Sequence, residues 1–232
     1  MLFTYFLPVT IIPLIVCAGL LWYYHGLPNL WSVTWRALLV APLCFFLITE
    51  LPIMNMRVNY VPTNDLAQIL KKAFLGASIP EEISKLATLY YIVWRVFKCK
   101  LNKFSDAFLC SVIIGTLFSV SENLAYANMG LGRVFAFAGH LSYAVIMGYC
   151  FSLLYSANIK KHRCFVATCM ILIPITCHGI WDAAGLGLMS LYTGWRSYVI
   201  YMICLSLPIV LCVSVYKLCR KTKHFNLSME TE

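Results

Sequence analysis

The sequence predicts an all-α protein, a polytopic bundle of about seven transmembrane helices that forms a single membrane domain over residues 1–232. Two observations lead to this prediction. First, 61% of the residues are hydrophobic and only 12% are charged, whereas about a quarter of the residues are charged in a soluble domain. Second, apolar stretches of about 20 residues recur along the chain, and each is long enough as a helix to cross the hydrocarbon core of a bilayer. The connections between the stretches are short, which predicts one domain.

The apolar stretches place seven spans in the lipid bilayer. The first is interpreted as a retained helix and not as a removed signal peptide, because no positive segment precedes it and no small-residue cleavage site follows it. The third is the least regular, because it contains Glu81, Glu82 and Lys85. The seven predicted spans are residues 3–24, 33–54, 74–97, 106–129, 133–155, 164–188 and 197–218.

Lysine and arginine residues predict the orientation of the bundle. In the loops between these spans, twelve of them fall on one side and five on the other. Positive residues prefer cytoplasmic loops, so the N terminus is predicted to lie outside and the C terminus in the cytoplasm. This asymmetry accounts for most of the formal net charge of +9, and nucleic acid is therefore not predicted as a partner.

Eight ionisable side chains lie at or within the predicted spans, where a carboxylate or lysine costs about 2.5–3.5 kcal/mol on insertion scales. At 1.5 Å per residue, Glu122 and His140 lie roughly 10 Å below the predicted outer edge. Glu81 and Glu82 lie about 10–12 Å in, and His178 lies about 15 Å in. Four spans therefore contribute to one layer, which predicts a polar chamber in the outer half of the bilayer. The eight residues are Glu50, Glu81, Glu82, Lys85, Glu122, His140, His178 and Asp182.

Helical spacing suggests how these side chains pair. Glu81 and Lys85 are four residues apart with the carboxylate first, the favourable order for an ion pair along a helix. Glu82 lies about 100° around the same helix and would then face the chamber. His178 and Asp182 are also four residues apart, so this carboxylate is in a position to orient the imidazole.

Two further polar residues and several glycines add to this pattern. Asn123, beside Glu122, offers an uncharged hydrogen-bond donor and acceptor. Glu50 lies near the outer end of the second span beside Pro52, and its position is as consistent with the membrane interface as with a functional role. The glycines that permit close approach of helices are Gly139, Gly148, Gly179 and Gly185.

Four motifs along these spans resemble those of the PrsW-type intramembrane proteases. Residues 80–85, Pro-Glu-Glu-Ile-Ser-Lys, resemble the family motif Glu-Glu-x-x-Lys/Arg. Residues 118–123, Phe-Ser-Val-Ser-Glu-Asn, are similar to the second motif, Phe-x-x-x-Glu-Asn. His140 with the Met-Gly-Tyr of residues 147–149 resembles the third motif, and His178 with Trp181 resembles the fourth. The resemblance covers residues 74–188, with the motifs in the expected order on successive helices.

The resemblance implies a function and a set of residues. The group is related to the CAAX-prenyl-protease and bacteriocin-processing families and to the Aph subunit of gamma-secretase, but prenyl-protease relatives usually carry histidine at the position of Glu122. The implied protein is a bacterial plasma-membrane protease whose protease core is residues 74–188. Its implied substrate is a membrane-anchored protein, such as an anti-sigma factor, cut near the extracytoplasmic side. The implied catalytic residues are Glu81, Glu82, Glu122, His140 and His178, with Lys85, Asn123 and Asp182 in support.

The resemblance leaves two mechanisms open. In the first, His140, His178 and a carboxylate such as Glu122 hold a divalent metal such as zinc, while Glu82 is the general base. In the second, Glu81 or Glu82 activates water directly, and the histidines orient that water or stabilise the oxyanion. Both mechanisms use the same residues.

Other functions remain compatible with polar side chains inside a membrane. Buried glutamates and histidines also build proton- or ion-coupled transporters. Transporters commonly contain internal repeats or paired broken helices, and the sequence contains no convincing repeat. A CAAX-prenyl-protease-like processing enzyme and a non-catalytic scaffold of the same fold are further alternatives.

Overall fold

A computed structural model describes most of the chain. It covers residues 2–23, 29–49, 65–98, 105–125, 132–155 and 162–186, together with single positions between 191 and 220. Every element within these ranges is helical, which confirms the predicted all-α class. Glu50 and almost all of the predicted span 197–218 lie outside the described residues. The elements are α1 (Leu2–Tyr23), α2 (Leu30–Thr49), α3 (Leu66–Lys71), a π-helical segment (Lys72–Ser78), α4 (Ile79–Val96), α5 (Ser105–Ala125), α6 (Gly132–Tyr155) and α7 (Arg163–Gly185).

Four of these helices are long and apolar enough to cross a membrane, and they coincide with the predicted second, fourth, fifth and sixth spans. A shorter apolar helical segment, Ile11–Tyr23, lies in α1 at the position of the first. The total of seven spans and the orientation of the termini remain predictions. The four membrane-crossing segments are Leu30–Ile48, Ser105–Asn123, Ala136–Tyr155 and Arg163–Gly185.

The predicted third span, residues 74–97, is built differently from an apolar membrane helix. It divides into the π-helical segment and α4. Most polar residues of α4 are buried inside the bundle, whereas the large side chains of Ile83, Tyr90 and Trp94 are exposed. Arg95, in the last turn, is the exposed charged residue of this helix. This distribution is the reverse of that of a helix on the surface of a soluble protein, and it suits a helix with lipid outside and polar partners inside. The buried polar residues of α4 are Glu81, Glu82, Ser84, Lys85 and Thr88.

Small residues allow α5 and α6 to pack closely at the centre of the bundle. A Cβ atom added at Gly115 would lie 2.5 Å from the Cβ of Ala144. A Cβ atom added at Gly148 would overlap the side chain of Ser111 and lie 3.0 Å from the Cα of Phe108. Close approach through small residues is the usual device for packing helices in membranes.

The four glycines predicted to allow close packing differ in their surroundings. Gly148 and Gly179 lie against neighbouring helical segments, as predicted. Gly139 faces Tyr143 of its own helix, and an added Cβ at Gly185 would have nothing within 4 Å. Gly115, which the sequence analysis did not select, makes one of the closest contacts.

The two ends of the bundle have different chemistry. Toward the ends of the helices away from Glu81 and Glu82, α4, α5 and α6 pack apolar side chains such as Leu89, Phe108 and Met147, all of which are fully buried, and Asp106 at the start of α5 is buried beside them. The other end holds Glu81, Glu82 and the other ionisable side chains. The apolar packing therefore forms the floor beneath a buried polar site.

We predict that Gly148→Ala destabilises the protein by about 1–3 kcal/mol, because the new methyl group overpacks the contact with Ser111 and Phe108. Gly19→Ala is the matched control, since an added Cβ there has nothing within 4 Å. That variant should be neutral or more stable, because alanine is favoured over glycine in a helix by up to about 1 kcal/mol. Thermal unfolding in detergent compares the two, and equal shifts in Tm would contradict the packing described above.

Candidate active site

The structure brings seven of the predicted residues into one buried group, which we call the polar cluster. Helix α4 supplies three of them, α5 and α6 supply one each, and α7 supplies two. Their side chains are joined by hydrogen bonds and ion pairs that cross between helices. The residues of the polar cluster are Glu81, Glu82, Lys85, Glu122, His140, His178 and Asp182.

The π-helical segment and the first turn of α4 position the two adjacent glutamates. Ser78 donates a hydrogen bond to the carbonyl of Ile175 on α7 at 2.5 Å. Phe74 packs directly against Gly179, where a Cβ atom would overlap its ring. These contacts hold the start of α4 against the part of α7 that carries His178. Single π-helical turns occur frequently at functional sites.

Local features of α4 explain why a polar helix start is tolerated here. Pro80 lies in the first turn of α4, directly after the π-helical segment, and it contributes no backbone N–H group at this junction. Glu81 and Glu82 lie in the same turn, and the backbone stays helical through Ser78 and Ile79 into this turn. Ser84 donates to the Pro80 carbonyl at 2.5 Å, so this hydroxyl is satisfied within the helix.

Lys85 is the cation of the polar cluster and contacts three helices. Its Nζ atom lies 2.6 Å from Oε1 of Glu82 and 2.9 Å from Nδ1 of His140. It also lies 4.6 Å from the centre of the Phe118 ring, within the range of a cation–π contact. Its side chain is only 1% exposed. The ion pair of Lys85 is therefore with Glu82, three residues away, and not with Glu81, the partner that the four-residue spacing favoured.

His178 lies between carboxylates of α4 and α7. Its Nδ1 atom is 2.8 Å from Oε1 of Glu82. Its Nε2 atom is 3.3 Å from Oδ2 of Asp182 and 3.8 Å from Oε2 of Glu81. The predicted contact between His178 and Asp182 is thus present. Because a carboxylate only accepts hydrogen bonds, Nδ1 donates to Glu82, and Nε2 is the nitrogen that faces Glu81 and Asp182.

His140 is held by a charged side chain at each ring nitrogen. Its Nε2 atom lies 2.5 Å from Oε2 of Glu122. Its Nδ1 atom lies 2.9 Å from Nζ of Lys85. An ammonium group donates and cannot accept, so Nδ1 is the accepting nitrogen and Nε2 carries the proton that is donated to Glu122. The rings of His140 and His178 are 5.0 Å apart between centroids and nearly perpendicular, at 87°.

Tyr143 is part of this site although the sequence analysis did not select it. Its ring stacks on that of His178 at 5.3 Å between centroids and meets the edge of His140 at 6.3 Å. Tyr143 follows His140 by three residues, so the two lie on one face of α6. This spacing is the signal in the sequence that would have identified it.

Two carboxylate oxygens within the polar cluster have no hydrogen-bond partner among the described residues. These atoms, Oε2 of Glu81 and Oε2 of Glu82, are both buried. A buried polar atom without a partner loses its hydration with no compensating bond. The unpaired oxygen of Glu81 faces Nε2 of His178, so the gap between them is suited to a cation.

Glu81, His140 and His178 each offer one potential ligand atom, and these three atoms lie within 4.8 Å of one another. Two imidazoles and one carboxylate are a donor set found in catalytic zinc sites. Glu122, the carboxylate named from the sequence, contacts Nε2 of His140, and the carboxylate within this group is that of Glu81. The residues therefore fit a divalent metal, with Glu81 as the carboxylate ligand.

The remaining predicted residues define how the polar cluster opens. Glu122 and Asp182 are 22% and 24% exposed, whereas Glu82 is 1% exposed. The accessible side is therefore the side of Glu122 and Asp182. Asn123, next to Glu122 on α5, is fully buried, and its supporting role remains a prediction.

Comparison with known proteins identifies one family. The profile described as PrsW family intramembrane metalloprotease matches residues 28–211, about four fifths of the 232 residues. The matched range includes the whole polar cluster. No curated protein and no solved structure matches the chain.

The two adjacent glutamates should respond oppositely to neutralisation. We predict that Glu82→Gln destabilises the metal-free protein by about 3–5 kcal/mol, because it leaves the buried ammonium of Lys85 without its counter-charge. Glu81→Gln should leave stability unchanged or raise it, because it removes a buried charge that carries an unpaired oxygen. Chemical denaturation in detergent with a chelator present measures both. A similar loss in the two variants would show that the charge pairing is not as described.

Proposed function

Because the chain belongs to the PrsW family of intramembrane metalloproteases, we propose that it is an active endopeptidase that hydrolyses a peptide bond of a membrane-anchored protein. The observation that supports this most directly is the buried group of Glu81, His140 and His178, whose ligand atoms lie within 4.8 Å of one another. Oε2 of Glu81 is buried without a hydrogen-bond partner among the described residues, which is compatible with a cation at this position.

The proposed metal ligands are Glu81, His140 and His178. A divalent metal such as zinc would supply a Lewis acid that polarises a carbonyl group and makes water more acidic. Glu82 accepts a hydrogen bond from the Nδ1–H group of His178. This bond orients the ring, as carboxylates commonly do for metal-binding histidines. Lys85 neutralises Glu82 from the other side. In this proposal Glu82 is a positioning residue and not the general base assigned to it from the sequence.

Glu122 is the residue that we propose as the general base. Glu82 is almost fully buried, and its Oε1 atom already accepts hydrogen bonds from Lys85 and His178. Glu122 is more exposed and lies against His140 on the accessible side. A carboxylate in this position can take a proton from the attacking water and pass it to the leaving amine. Asp182, on the opposite side of the opening, is positioned to hold Nε2 of His178 or the substrate.

The second mechanism uses the same unpaired oxygen. Without a metal, Oε2 of Glu81 is itself a buried carboxylate oxygen free to accept a proton from water, while His178 stabilises the oxyanion. The family description supports the metal-dependent mechanism, and removal of metal separates the two.

The proposed substrate and membrane side rest on topology. The polar cluster lies at the ends of the helices that the distribution of lysine and arginine places outside. We therefore propose cleavage near the extracytoplasmic face of a membrane-anchored protein, such as an anti-sigma factor, in the plasma membrane of a bacterium. Within the single domain, residues 74–188 would form the catalytic part.

A proton- or ion-coupled transporter fits the geometry less well. Hydrogen bonds and ion pairs link the polar cluster from Asp182 through His178 to Glu122, but both ends of this chain open at the same predicted layer. Beneath it lie the buried apolar side chains of Leu89, Ile114 and Met147. The polar contacts among the described residues therefore favour local chemistry over a path across the membrane.

Cleavage of a single-span substrate by the purified full-length chain tests the proposal directly. We expect His178→Ala and Glu122→Gln to lower the cleavage rate by at least about 100-fold, the usual loss when a general acid–base group is removed. His162→Ala is the matched histidine control, because this side chain is exposed at the start of α7 and makes no capping hydrogen bond. Full cleavage by both site variants would remove the catalytic assignment.

Metal content separates the two mechanisms. We expect about one equivalent of divalent metal in the wild type and a large loss in His140→Ala and Glu81→Gln, since each variant removes a proposed ligand. His162→Ala should keep the wild-type content. Elemental mass spectrometry of the purified variants makes this measurement. Full cleavage after complete removal of metal would exclude the metal mechanism and support water activation by Glu81.

A further inference from the structure

Lys85 occupies a position in which a buried cation has partners on three helices. Its ammonium group contacts Glu82 of α4 at 2.6 Å, His140 of α6 at 2.9 Å and the ring of Phe118 on α5 at 4.6 Å. The side chain is among the largest fully buried ones of the described residues. Such burial is costly unless the charge is paired and hydrogen-bonded, so these contacts define a specific site for a positive charge.

The contact between Lys85 and His140 is incompatible with metal binding by His140. If Nδ1 binds the metal, its lone pair is no longer available to the ammonium. If Nε2 of the neutral ring binds the metal, the proton lies on Nδ1, and two donors then face each other. In either case the hydrogen bond from Lys85 to His140 must break when His140 becomes a ligand.

The formal charges of the polar cluster also indicate that a cation is needed at this site. The polar cluster contains four carboxylates, those of Glu81, Glu82, Glu122 and Asp182, and Lys85 is its one lysine or arginine. With neutral histidines this leaves a large negative formal charge in a buried environment, where like charges repel strongly. A cation is therefore needed both before and after a metal is bound.

We propose that Lys85 is the resident cation of the metal-free site and competes with the metal for His140. This inference rests on the proposed metal centre. In the metal-free protein, Lys85 holds His140 and compensates Glu82, while Oε2 of Glu81 and Nε2 of His178 already face each other at 3.8 Å. Metal binding would require His140 to give up its contact with Lys85, and Lys85 would keep Glu82 but move away from the ring of Phe118.

This exchange predicts that removing Lys85 strengthens metal binding while weakening the metal-free protein. The test is titration of the chelator-treated full-length chain in detergent with zinc ions, in competition with a chromophoric chelator. We expect Lys85→Met to bind zinc about tenfold more tightly or better, since a charge-assisted hydrogen bond no longer has to be broken. The zinc-dependent rise in Tm should also be larger than in the wild type, because a tighter ligand stabilises more.

Two further variants make the result interpretable. Lys71→Met is the matched control, because Lys71 is an exposed lysine at the end of α3, and it should leave zinc affinity unchanged. Phe118→Leu keeps Lys85 but removes its cation–π partner, together with the ring contacts of Phe118 to Phe45 and His140, and it should tighten zinc binding by about two- to fivefold. The Phe118→Leu variant tests the competition between Lys85 and the metal even if Lys85→Met fails to fold without metal.

The outcomes distinguish this inference from the proposed metal site. Tighter zinc binding by Lys85→Met or by Phe118→Leu supports the competition. Zinc binding by the wild type together with unchanged or weaker binding by these variants overturns it and leaves the metal site standing. Absence of zinc binding in the wild type overturns both, while the cleavage assay still measures whether the chain is a peptidase.

Discussion

The structure depends on one atom, Oε1 of Glu82, which accepts hydrogen bonds from Lys85 at 2.6 Å and from His178 at 2.8 Å. Through Lys85 this atom connects α4 to His140 on α6, and through His178 it connects α4 to α7. A carboxylate and an ammonium group buried this deeply are tolerated only when their hydrogen-bonding capacity is used. The positions of α4, α6 and α7 are therefore constrained by the need to keep these charges paired.

The rest of the fold supplies that constraint. Gly115 and Gly148 bring α5 and α6 together closely, which keeps Glu122 within hydrogen-bonding distance of His140. The π-helical segment, anchored to α7 through Ser78 and Ile175, holds the start of α4 in register with His178. An apolar floor closes one end of the site, and the more exposed carboxylates mark the other. Hydrolysis within a membrane requires such a separation, because water must reach the reacting atoms without crossing the bilayer.

The same geometry relates catalysis to metal binding. Oε1 of Glu82 is paired with Lys85 before any ligand arrives. The Oε2 atoms of Glu81 and Glu82 both lack a hydrogen-bond partner among the described residues, but only Glu81 belongs to the group of residues that could hold a metal. Adjacent residues of one motif are thus divided between a structural role and a chemical role. His140 has contacts at both ring nitrogens, with Lys85 at Nδ1 and with Glu122 at Nε2. A ligand that needs His140 must compete with contacts that stabilise the metal-free fold.

The sequence by itself determined the all-helical class, the approximate bounds of the apolar helices and the residues that carry the motifs. These features depend on hydropathy over about 20 residues and on spacing along a single helix, both of which are local. The contact between His178 and Asp182 was predictable for the same reason. Only the tertiary structure decided that Lys85 pairs with Glu82, that Glu81 lies in one group with His140 and His178 and that Tyr143 stacks on His178. These pairings depend on how each helix is rotated and how closely it approaches its neighbours, which no pattern within a single helix specifies.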